Sequence, residues 1–282
     1  DAIYTAVDVQ WLDNSTLAVT ATKFQDRILF TMAPDGSGRE EILGPGPIFG
    51  SPSFNADGTK FALSASTPMH PNELYVGDMS GDLTKLTDSN PWLAEYKLGN
   101  QEVIEWTAQD GLKIQGVLIY PVDYQEGTRY PLIVQPHGGP EGADLNGWIT
   151  YYSKWSQMLA GQGYFVLNPN YRASIGRGVE YAKADHNDLG GKETQDVVDG
   201  IDYLIERGLV DGERVGSGGG SYGGYFSALA ATKHSERYAA SVVFAGITNW
   251  FSFQGTTDIS IENSHTHWNI PDWHLNGDIL WK

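Results

Sequence analysis

The chain has 282 residues, 40% of them hydrophobic, with 18 Lys and Arg against 35 Asp and Glu for a formal charge of −17. This is ordinary globular composition, which excludes a disordered chain, a collagen and a coiled coil. No run of about 18 apolar residues marks a membrane span, and the acidic balance argues against nucleic acid or an anionic membrane surface as a partner. Cysteine is absent, so disulfide frameworks, thiolate zinc sites and cysteine nucleophiles are out. The chain opens at Asp1 with no basic n-region or apolar h-region, so a processed, trimmed or incomplete start is expected. A soluble protein of the cytoplasm, the periplasm or the outside of the cell fits equally.

Residues 1–91 carry a weak internal repeat. Trp11-Leu12-Asp13-Asn14-Ser15, Ile28-Leu29-Phe30 and the turn Pro34-Asp35-Gly36 are echoed by Phe54-Asn55-Ala56-Asp57-Gly58, Glu73-Leu74-Tyr75-Val76 and Ser80-Gly81-Asp82. Short alternating strands broken by Asp-Gly or Ser-Gly turns predict antiparallel hairpins. The offset of roughly 43–45 residues is that of a propeller blade, the alternative being two unrelated hairpin pairs. Two blades cannot close a ring of about 4–8, so earlier blades are expected to be missing.

After Pro91-Trp92 the pattern changes, and residues 92–282 are expected to form a second domain. Strands are predicted at Glu102–Ala108, Leu112–Tyr120 and Tyr130–Gln135. Trp148, Tyr152, Trp155 and Leu159 stand at helical spacing and predict a helix ending near Gly161. A buried strand at Tyr164–Asn168 follows, then a helix through Val197, Ile201 and Leu204, with acid at its start and Arg207-Gly208 at its end. A short strand around Val215, a helix over Tyr222–Thr232 and a buried strand at Tyr238–Phe244 complete the pattern. Strands alternating with helices of this length imply parallel units and an open α/β sheet.

Gly219-Gly220-Ser221-Tyr222-Gly223 is a G-x-S-x-G motif between a predicted strand and a predicted helix. A nucleophilic serine must project from a sharp, strained turn, and glycines let strand and helix come close. The chain lacks the Gly-Lys-Ser/Thr ending of a phosphate loop, so Ser221 is the candidate nucleophile. Upstream, an apolar strand runs into Pro136-His137-Gly138-Gly139-Pro140. In hydrolases with such an elbow, one oxyanion donor is the N–H after the nucleophile, here Tyr222, and another comes from an early loop, here Gly139 with Gly138 beside it. His137 is read as shaping that loop, not as the general base.

Together with Asn168-Pro169-Asn170-Tyr171-Arg172-Ala173-Ser174, these motifs resemble the prolyl oligopeptidase family of serine peptidases, in its acylaminoacyl-peptidase and dipeptidyl-peptidase-like branch. The resemblance implies an α/β-hydrolase domain preceded by the last blades of a β-propeller that limits substrates to short peptides. It implies no cofactor or metal, a short peptide as partner, and a homo-oligomer as a further option. By family position alone, Trp250 and Phe251 would sit near the substrate pocket. Ser217 and Gly218 depart from the pattern, since larger side chains are expected on the strand before the elbow.

Hydrolases of this kind supply Asp or Glu and then His after the nucleophile, each following a further strand. Between Ala245 and Lys282 the sequence is polar and Trp-rich, and reads as a loop and lid. Asp258, Asp272 and His274 are set aside as acid and base, and His265, His267, Asp272 and His274 as metal ligands. The expectation is a chain cut at both ends, its hydrolase domain incomplete and its Asp and His partners beyond residue 282. A carboxylesterase on the same fold, or a non-catalytic propeller scaffold with a dead hydrolase domain, are the competing readings.

Overall fold

A computed structural model describes residues 3–281; Asp1, Ala2 and Lys282, which the sequence reading counts within its two domains, lie outside the described residues. The repeat resolves into two antiparallel sheets. In the first, Thr5–Trp11, Leu17–Lys23, Asp26–Met32 and Glu40–Leu43 pair in chain order. In the second, Ile48–Phe49 and Ser53–Phe54 together flank Lys60–Thr67, followed by His70–Asp78 and Leu83–Lys85. The equivalence extends to the turns. The Asp13 carboxylate accepts from the Ser15 N–H at 2.7 Å, as Asp57 does from Thr59 at 3.0 Å. Asp35 accepts from the Ser37 N–H at 2.9 Å, as Asp78 does from Ser80 at 2.9 Å. Carboxylates that bond their own backbone two residues on are the local reason these turns form. Strand alternation puts Ala18 and Leu29 with Phe49, Phe61 and Leu63 between the two sheets, and Val19, Ala21, Ile28 and Phe30 on the other face of the first.

A one-turn helix at Pro91–Glu95 leads to the larger sheet. Its strands are β1 (Gln101–Thr107), β2 (Lys113–Ile119), β3 (Tyr130–Val134), β4 (Phe165–Asn170), β5 (Val210–Gly220) and β6 (Ala240–Phe244), in the spatial order β1-β2-β4-β3-β5-β6. The first two are antiparallel to their neighbours, and β4, β3, β5 and β6 run parallel. The helices are α1 (Ser156–Gly161), α2 (Lys192–Glu206), α3 (Tyr222–Ala231) and α4 (Trp250–Thr256). Leu118, Leu132, Val134, Phe165 and Leu167 of the sheet pack with Val197, Ile201 and Leu204 of α2 and with Tyr222 and Phe226 of α3. Among the described residues, no helix is long and apolar enough to cross a membrane.

Three elements differ from expectation. The aromatic spacing from Trp148 to Leu159 is not one helix. Thr150–Tyr151 and Lys154–Trp155 form a hairpin, and only Ser156–Gly161 is helical. The run Ile149-Thr150-Tyr151-Tyr152 favours extended backbone, and the hairpin turns Lys154 inward. Lys154 is wholly buried and donates to Asp144 Oδ2 at 2.7 Å, Asn168 Oδ1 at 3.1 Å and the Gln135 carbonyl, which pins the hairpin to the ends of β3 and β4. Second, the strand at Val215 spans 11 residues, and Ser217 and Gly218 fit within it, Ser217 Oγ meeting Ser227 Oγ at 3.1 Å. Third, β6 is an edge and not a buried strand, with Val242 51% and Val243 42% exposed. A parallel strand reads as the same apolar run in either place.

Removing one member of a buried ion pair leaves the other charge uncompensated. Lys154→Met is therefore expected to cost about 3–5 kcal/mol in urea unfolding. The double variant Lys154→Met/Asp144→Leu should recover much of that loss.

Candidate active site

Ser221 sits alone between β5 and α3 with φ 57° and ψ −121°, a left-handed conformation rare outside glycine, and its side chain is exposed. Two backbone bonds hold the turn: Ser221 N–H donates to the Phe244 carbonyl at 3.0 Å, and the Ser221 carbonyl accepts from Tyr225 N–H at 3.0 Å. The glycines around it are demanded by close approach. A methyl at Gly223 would overlap the Pro136 carbonyl, so the first turn of α3 lies directly on the chain leaving β3. A Cβ at Gly138 would stand 3.2 Å from Ser221 Cβ and 3.7 Å from its Oγ. The serine and the His137-Gly138-Gly139 corner are therefore in contact, as the motifs predict.

A cavity of about 250 Å³ opens beside Ser221, walled by Gly139, Glu141, Tyr222, Trp250 and His267 among others. The Tyr222 N–H belongs to the first turn of α3, whose donors have no intrahelical acceptor, and among the described residues no backbone acceptor engages the Gly139 N–H. Both positions line the cavity, at the positive end of a ten-residue helix. An exposed hydroxyl with two free amides and a helix N-terminus beside it can form a tetrahedral adduct with a carbonyl and hold its oxyanion.

His137 is 3% exposed and faces away from this chemistry. Its Nε2 meets Ser174 Oγ at 2.9 Å and its Nδ1 the Gly138 carbonyl at 2.8 Å, and it stacks on Tyr171. Burial pushes its pKa down to about 4 against the pull of Asp144, so it is neutral at ordinary pH. Beneath the elbow, Tyr222 OH donates to Glu193 Oε1 at 2.8 Å, and burial lifts the Glu193 carboxyl to about 7.

The other candidates divide. Trp250 lines the cavity, but Phe251 stacks on Trp281 at 5.0 Å and lines no part of it. Successive helical residues point about 100° apart, so α4 cannot aim both rings at one site. Residues 245–281 are not a wet lid but a series of short helices, in which His267 is 3% exposed. His265 bonds back to the Ile261 carbonyl at 2.8 Å, whereas His267 meets Glu262 at 3.0 Å and Glu141 at 3.4 Å. None of Asp258, Asp272 and His274 lines the cavity. Among the described residues, no side chain hydrogen-bonds Ser221 Oγ. Tyr152 escaped the sequence reading, which buried it in a helix. It sits in the hairpin turn, where its hydroxyl and that of Ser153 leave no room for a Cβ at Gly220, next to the nucleophile.

The sequence model of the prolyl oligopeptidase family matches residues 150–279. An uncharacterized peptidase, YuxL, of Bacillus subtilis is 34% identical over 81% of this chain and 33% of its own length. The acylamino-acid-releasing enzyme of Sus scrofa is 31% identical over 58% of this chain and 20% of its own. A solved acylaminoacyl peptidase in complex with Z-Gly-Gly-Phe-chloromethyl ketone superposes with a TM-score of 0.85 at 25% identity, covering 99% of this chain and 43% of that one. The chain thus spans a third or less of these curated relatives.

Between pH 4 and 6.5 the buried His137 binds fewer protons folded than unfolded. The contribution of His137 to stability should therefore rise with pH across that window, by up to roughly 3 kcal/mol, while the Glu193 and Asp185 carboxyls, lifted by burial to about 7 and about 8, bind more protons folded than unfolded and act in the opposite direction. The difference in urea midpoint between the protein and His137→Gln, followed from pH 4 to 8, should show this limb.

Proposed function

We propose, on the premise that this chain belongs to the prolyl oligopeptidase family, that it carries the nucleophile and oxyanion site of a serine peptidase acting on short peptides. The observation that carries the reading is Ser221, exposed at positive φ between β5 and α3 and touching Gly138. In this reading Ser221 Oγ attacks the scissile carbonyl carbon and loses its proton to a base. The carbonyl oxygen becomes an oxyanion received by the Tyr222 and Gly139 N–H groups. The amine then leaves, an ester to Ser221 remains, and water releases the acid. Activation of a serine hydroxyl requires a neighbouring base; that role and the role of its acid partner are assigned to no described residue.

Residues 92–282 are the catalytic domain in this reading, of α/β-hydrolase type. Residues 1–91 are two propeller blades, supported by their antiparallel meanders, one of four strands and one of five, and by their matched turns. The two parts touch where Phe24 N–H donates to the Gly176 carbonyl at 2.8 Å and Asn146 N–H to the Gln25 carbonyl at 2.8 Å. Substrate would enter between them, with Trp250 on the cavity wall. A peptide substrate fits the chloromethyl ketone complex of the similar acylaminoacyl peptidase.

A protein that carries this chain together with its base and acid should cleave acylaminoacyl or aminoacyl amides in preference to aliphatic esters. Ser221→Ala should lower kcat by about 10⁶-fold and abolish labelling by a fluorophosphonate. A preference for aliphatic esters would favour the carboxylesterase, and unchanged turnover in Ser221→Ala the non-catalytic scaffold.

A further inference from the structure

Among the described residues, three groups of His, Asp and Glu bring their ligand atoms within 4.8 Å of one another. In the first, His70, Glu73 and Asp88, the buried Glu73 carboxylate is already satisfied by the Thr87 hydroxyl, the Ser89 N–H at 2.7 Å and the Ser89 hydroxyl at 3.1 Å. The other two share His267: Asp185 and His186 on one side, Glu141 and Glu262 on the other. In the Asp185 group, buried polar atoms are left without partners. Asp185 has no exposed surface, and neither of its carboxylate oxygens has a hydrogen-bond partner among the described residues. The largest charges acting on it, those of Glu193, Glu141 and Asp188, are acidic. His267 is buried, and its Nδ1 is likewise unpartnered.

We propose that Asp185, His186 and His267 bind one divalent cation of the zinc type, fastening the helical segment 250–281 to the loop after Ala182, beside the nucleophile cavity. A buried carboxylate among other acids, without hydrogen bond or counter-charge, is costly to keep ionised. A divalent cation removes that cost. Two imidazoles and a carboxylate are the donors zinc takes, with bonds of about 2.0–2.1 Å and a fourth place for water or a further carboxylate. Glu141 and Glu262, which face His267, are the nearby acids for that place or for orienting the imidazole. His267 stands on a π-helical turn, Asn263–His267, and its carbonyl accepts from Asn187 N–H at 2.7 Å. The two segments are therefore already in register. Since Glu141, Glu262 and His267 line the same cavity as Ser221, the ion would set the position of that wall.

The test uses the purified chain after EDTA treatment, with zinc chloride as the probe, and needs no peptidase activity. Calorimetric titration should show one zinc per chain and a higher melting temperature with the metal. Cobalt(II) in its place should give the intense visible bands of a four-coordinate site. His186→Ala changes a half-buried residue and Asp185→Asn keeps its shape; each should weaken zinc at least about tenfold. His70→Ala should leave binding unchanged. No saturable uptake, uptake that survives both substitutions, or uptake lost with His70→Ala would overturn the proposal. Because the readout is metal binding, its failure leaves the peptidase reading standing, and the reverse also holds.

Discussion

At the end of the larger sheet two stretches of backbone lie against each other with no side chain between them. The first turn of α3 rests on the Pro136 carbonyl through Gly223, and Gly138 rests on Ser221. Any side chain at Gly223 would push α3 off the end of β3, and with it the Tyr222 amide. The hydroxyl and the two amides share one cavity because this contact holds. Close packing transmits such a displacement and does not absorb it.

The polar groups behind the contact keep both stretches in place. The corner after β3 is held by His137 with Ser174 and Tyr171. The segment after β4 is tied down by Arg172, which donates to Asp196 at 2.6 Å and Asp110 at 2.8 Å. Burial depresses the Lys154 ammonium while Asp144 opposes the shift, so this pair is a charged bolt in an apolar wall. The partnered buried acids beneath the site thus fall into two kinds. Asp144 and Asp196 face cations, whereas the Glu193 carboxyl, lifted to about 7, is matched by a tyrosine hydroxyl and a backbone amide.

The elbow was legible in the sequence because its signal is local. Glycines packed round one serine, between a strand and a helix, describe a bend that needs little tertiary information. The same holds for the repeat, whose Asp-centred turns bond within three residues of themselves. What escaped depends on distant partners. The residues from Ile149 to Trp155 look helical until Lys154 is matched with Asp144 and Asn168, which sequence spacing cannot show. Phe251 looked like a wall of the cavity until Trp281 was placed over it. His267 looked solvated because its neighbours in sequence are polar, yet Glu141, more than a hundred residues away, is among its partners.

The outer side of β6 offers the main chain of a parallel strand with no neighbour among the described residues, flanked by two exposed valines. Unpaired strand amides are templates for another strand. The border of β6 is thus the place in this sheet where a further parallel strand would pair, its amides and carbonyls already in register with those of β5.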